Sequence, residues 1–95
     1  MNTADRVREM GLVVGDTIVG RDDYISEQPG CYHEAELTLL WVGEYVAVFR
    51  ERSRNHINQD WCKHQESANW SLEYREWKKL PRADHIADAG KQIGE

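Results

Sequence analysis

Two cysteines and two prolines in 95 residues leave little to staple or stiffen the chain. A disulfide-framework scaffold needs a denser, even set of cysteines, so that class is excluded. No apolar run approaches the ~20 residues that cross a bilayer. The opening "MNTADRVREMG" carries charges where a secretion signal would be apolar. The expectation is a cytoplasmic protein with reduced thiols, no Cys31–Cys62 disulfide and no membrane partner. There is no glycine-rich phosphate loop, oxyanion-hole signature or paired-carboxylate motif, so the chain is read as neither an enzyme nor a cofactor carrier. Basic charge is also short. The formal net charge is −5, and the acids are scattered singly. Attraction to a nucleic-acid backbone is not the default, and the acidity is too thin for a mimic of DNA.

What is present is enough for one folded domain. Apolar residues make up 40% and charged ones 31%, inside the globular range, and four tryptophans are many for this length. "NTADRVREMG" reads as a short helix, with Asn2 or Thr3 at its N-cap, Asp5 in the first turn and Gly11 at its end. "VVGDTIVG" reads as a turn at Gly15–Asp16 entering a strand that ends at Gly20. Residues 21–33 read as a loop. "AELTLLWV" and "YVAVFRER" read as a hairpin turning on Gly43–Glu44 in a type II′ turn. That register pairs Val42 with Tyr45, Trp41 with Val46 and Leu39 with Val48. A second loop follows. Then "ANWSLEYREWKKL", with Trp70, Leu72 and Tyr74 alternating against polar residues, reads as a half-buried strand ended by Pro81.

These elements predict a mainly β or α+β fold. It is a small, strongly bent antiparallel sheet or an Src-homology-3-like barrel with one N-terminal helix. Residues 1–80 form the domain and 81–95 a tail, helical or frayed. In the expected register, Leu40, Val42, Tyr45 and Phe49 share a second apolar hairpin face. One short helix covers that face poorly, which points to a homodimer.

Three segments taken in order, "GLVVGDTIVGR", "HEAELTLLWVGEYVAVFRE" and "SANWSLEYREWKKL", resemble a group of small uncharacterised accessory proteins carried by tailed bacteriophages. The resemblance spans roughly residues 4–80. It implies a viral protein acting in the cytoplasm of a bacterial host, and it supplies no catalytic residue.

Two Cys-x-His triplets, Cys31 with His33 and Cys62 with His64, invite comparison with a tetrahedral Cys₂His₂ site. Structural zinc sites space their ligands more widely, so no metal is expected. A thiolate at Cys31 or Cys62 would need a base in reach and a third group to orient it. "FRERSR" places Arg50, Arg52 and Arg54 on one strand face, and Arg75, Lys78 and Lys79 cluster near the end of the last strand. Trp41 and Trp70 read as core, whereas Trp61 and Trp77 stand among polar residues. Arg50, Arg52, Trp61, Arg75 and Trp77 are therefore the candidate patch for a partner, since Trp and Arg dominate interface hot spots. The function expected is a binding module that occupies a host protein, plausibly a defence component. Capture of a small nucleotide signal through arginines and aromatics is the alternative, and nucleic-acid binding the third reading.

Overall fold

The structure is a computed structural model, and it describes residues 2–22, 30–73 and 75–81. Helix α1 runs Thr3–Glu9. Its N-cap Asn2 accepts a 2.7 Å hydrogen bond from the Asp5 amide. At the other end Gly11 takes φ +71°, and the amides of Gly11 and Leu12 reach back to the carbonyls of Arg8 and Val7. This left-handed glycine lets the chain reverse while Leu12 packs beside Val7 in the core.

The strands are β1 (Thr17–Asp22), β2 (His33–Val42), β3 (Ala47–Asn55), β4 (Gln65–Ser67) and β5 (Glu76–Lys79). They form one antiparallel sheet in the order β4-β3-β2-β1-β5. Strands β4 and β5 are its two edges, so among the described residues the sheet stays open and does not close into a barrel. The expected loop 21–33 shortens, because β1 continues to Asp22 and β2 begins at His33. Segment 23–29, Tyr74 and the tail beyond Pro81 lie outside the described residues.

The hairpin forms with a different register. Val42 pairs with Ala47 across a loop closed by the Gly43 amide on the Val46 carbonyl at 2.8 Å, and Leu39 pairs with Phe49. A bulge at Leu40 separates those two pairs. A one-residue slip inverts the faces of a strand. The physical reason is that "VAVF" is apolar at both parities, and the larger Phe49 gains more by burial than Val48. The same parity places Arg50, Arg52 and Arg54 on one face, opposite Thr38, Glu36 and Glu34. The expected register would have set Arg50 against Leu37. Phe49 is therefore fully buried, while Trp41 is 56% exposed and Tyr45 64%. The apolar face on which a homodimer was expected does not assemble in that form.

One face of the sheet carries the core: Ile18, Leu37, Leu39, Ala47 and Phe49, joined by Val7 and Leu12 from the helix and by Leu72. The expected strand through Trp70 is instead irregular over residues 70–73 and 75, a strap laid across that face before β5. The Thr3 hydroxyl donates to the Trp70 carbonyl and Arg6 Nε to the Leu72 carbonyl, which ties the strap to α1. Asp16 is the buried charge of the fold, 1% exposed. It accepts from the Val13 amide at 3.0 Å and lies 3.2 Å from Lys79 Nζ, locking the entry of β1 to the end of β5.

Candidate interaction surface

Pairing assigns each candidate residue to a face, since direct cross-strand partners share one. Val19 pairs with Glu36 and with Lys78, and Glu36 pairs with Arg52. These residues lie on the outer face. Gly20 pairs with Ala35 and with Trp77, and those residues lie on the core face. The sheet thus divides the five candidates. Arg50, Arg52 and Trp61 are on the outer side; Arg75 and Trp77 are on the core side.

On the outer face the arginines differ sharply. Arg52 grips Glu36 with two hydrogen bonds of 2.7 and 3.1 Å, and Arg54 Nε donates to Glu34 at 2.6 Å. Trp61 lies over both guanidiniums, 4.7 Å from Arg52 and 4.5 Å from Arg54. The loop that carries Trp61 is pinned by the Cys62 amide on the Ser53 carbonyl at 3.0 Å. Asn55 Oδ1, accepting from the Ile57 and Asn58 amides, starts that loop. This set is satisfied within the chain. The exposed side chain of Arg50 forms no hydrogen bond or ion pair among the described residues. It stands two positions along the ladder from the Trp41–Val48 pair, on the same face of β3 as Val48.

That end of the sheet is apolar and exposed: Trp41, Tyr45 and Val46 project there. The Val13–Val14 turn adjoins it through the Gly15 amide on the Leu39 carbonyl at 2.8 Å. The turn is held firmly, with Arg8 Nη2 donating to the Gly43 carbonyl and the Ala4 amide to that of Tyr45. The Trp41 indole rests against Gly43, where an added Cβ would come within 2.3 Å of it. A half-exposed tryptophan on the same face as an arginine with no ion pair among the described residues is the composition of an interface hot spot. Sequence reasoning placed Trp41 in the core because it shares strand parity with Leu37 and Leu39; the bulge at Leu40 turns it to the outer face. The charge match of Arg52 and Arg54 to Glu36 and Glu34 was a signal for the observed pairing of β3 with that part of β2, but not for the bulge that exposes Trp41.

On the core face Trp77 packs against the core edge-on to Trp70, ring centres 6.0 Å apart. Its Nε1 is buried with no hydrogen-bond partner among the described residues. Arg75 stacks near both rings, at 5.7 and 5.5 Å, and donates from Nη1 to the Gly20 carbonyl and to His33 Nδ1. Burial, then the Arg75 charge, holds His33 below the usual histidine range, with Asp22 and Glu51 acting in the opposite sense. Trp77 is therefore a packing residue, and "REWKK" misled because Glu76 and Lys78 take the outward parity.

The two Cys-x-His triplets do not converge. Cys62 Sγ accepts from the Ser53 amide at 3.2 Å, His64 Nε2 lies 3.9 Å from Glu36, and His33 is engaged by Arg75. Among the described residues no group of three His, Cys, Asp or Glu is placed to hold a metal ion. Shallow depressions lie among the described residues. One of about 290 Å³ lies between Thr3, Arg6 and Trp70, and one of about 420 Å³ on the outer face between Val19, Lys78 and Leu80. Among the described residues no helix is long and apolar enough to cross a membrane. No family model, no curated protein and no solved structure matches this chain.

Proposed function

We propose that the protein is a non-enzymatic binding module that docks onto another protein through the hairpin end of its outer face. The observation that carries this reading is the exposed Trp41, beside an ordered turn, on the same face as Arg50, whose side chain has no hydrogen bond or ion pair among the described residues. The partner surface that fits is an apolar pocket for the indole with a carboxylate near its rim for the guanidinium. Such a surface gains affinity because the turn is already ordered and little entropy is lost on docking. The resemblance to phage accessory proteins suggests the setting: a host protein in the bacterial cytoplasm, with inhibition of a defence component as the role.

Capture of a nucleotide through Arg52, Arg54 and Trp61 is weaker, since Glu36 and Glu34 already neutralise those cations. The same neutralisation, with the net charge of −5, speaks against a nucleic-acid polymer. The test is affinity capture from host lysate with wild type and Trp41→Ala in parallel, reading retained proteins and small molecules by mass spectrometry. A protein retained by wild type and lost with Trp41→Ala supports the docking surface. A retained nucleotide lost only with Trp61→Ala would replace it with the second reading.

A further inference from the structure

Arg75 is a half-buried guanidinium with no ion-pair partner among the described residues. It is held by a carbonyl, an imidazole nitrogen and two indole rings. It leads directly into β5, and it anchors the strap whose Leu72 is 1% exposed over the core. The Arg75–His33 contact, 3.4 Å from Nη1 to Nδ1, requires a neutral imidazole. Nδ1 accepts only while unprotonated; once protonated it is a donor facing another donor.

We propose that His33 and Arg75 form an acid-sensitive latch: protonation of His33 releases Arg75 and loosens the strap that carries Trp70 and leads into Trp77 of β5. Each element packed around His33 contributes a group. Asp22 faces it from β1 as its cross-strand partner, Asn55 from β3 as the other. Glu51 on β3 adds a second negative charge, and Arg75 is the positive one. Before it in the chain come Cys31 and Tyr32, with His56 against Tyr32 at 6.2 Å between ring centres. The carboxylates offset part of the repulsion between His33 and Arg75, so the response is release of a local contact. The sheet itself, with Phe49 and Leu37 fully buried, stays formed. The lowered affinity of His33 for protons places the event on the acid side of 6.5.

The experiment follows tryptophan emission and near-ultraviolet circular dichroism of the full chain from about pH 7.5 to about pH 5, with far-ultraviolet dichroism alongside. The expected result is a near-ultraviolet and emission transition below 6.5 with unchanged far-ultraviolet signal. His33→Gln keeps an acceptor for Arg75 and does not titrate, so the transition should vanish there and persist in His64→Gln, the control for Trp61. A flat wild-type profile, or an unchanged transition in His33→Gln, overturns the latch. Should His33→Gln not fold, nuclear magnetic resonance on wild type decides. The indole N–H signals of Trp70 and Trp77 must titrate with the His33 ring; independence of the two refutes the proposal.

Discussion

Adding one methyl group at each of two glycines separates packing from exposure in this fold. At Gly20, a Cβ would lie 2.6 Å from Trp77 Cε3, 2.8 Å from Trp77 Cδ2 and 2.8 Å from Arg75 Cδ. Trp77 is wedged between the strand, Trp70 and the core, so it yields only by moving the strap. Overpacking of this kind costs about 1–3 kcal/mol. Removing glycine from the unfolded chain returns about 0.4–1 kcal/mol, leaving a net loss of ~1–2 kcal/mol for Gly20→Ala. In a domain of this size that lowers Tm by roughly 4–16 °C. At Gly43 the nominal clash is closer, 2.3 Å from the Trp41 ring, yet that indole is 56% exposed and swings aside freely. Gly43→Ala should leave Tm within about 3 °C of wild type, because surface changes stay near ±0.5 kcal/mol. Thermal unfolding by circular dichroism, with urea titration to check the slope, measures both. Equal stability of the two variants would show that Trp77 does not seat on Gly20 and would refute the packing scheme.

Trp77→Ala should destabilise by about 3 kcal/mol. Trp41→Ala should cost under ~0.5 kcal/mol, by urea unfolding, the reverse of what their sequence neighbours suggest. Asp16→Asn removes the buried charge opposite Lys79 and should cost about 1–3 kcal/mol; an unchanged midpoint would deny Asp16 its locking role. Stability should fall as pH drops through 6.5, because there the unfolded chain binds a proton at His33 that the folded one resists. Urea midpoints at about pH 7.5 and pH 5.5 on wild type and His33→Gln check the sign, and His33→Gln should lose part of the difference.

The helix was legible because Asn2, Asp5 and Gly11 mark its ends by local chemistry. The first strand and the existence of the hairpin were legible from their apolar runs. Register was not, since Val46, Ala47, Val48 and Phe49 offer an apolar residue at either parity and only tertiary contacts choose. The strap misread as a strand shows a related limit. Trp70 and Leu72 alternate as a strand would, yet among the described residues they join no strand: their carbonyls accept from Thr3 and Arg6 of α1, and the Trp70 indole donates to Glu51. Of the candidate surface, Arg52 and Trp61 were correctly brought together, but the strand parity of Arg75 and Trp77 was assigned outward. Arg50 lies just past the apolar hairpin, as its sequence position indicates. The exposure of Trp41 was not legible, because it follows from the bulge at Leu40.

The central claim is that the outer hairpin end, and not the Arg52–Arg54–Trp61 stack, contacts the partner. Capture of the host partner and Tm are therefore compared in two double variants, Trp41→Ala with Arg50→Ala and Arg52→Ala with Trp61→Ala. The account predicts that the first loses capture with Tm unchanged, while the second retains capture and melts lower. Capture retained by the first variant and abolished by the second would contradict it.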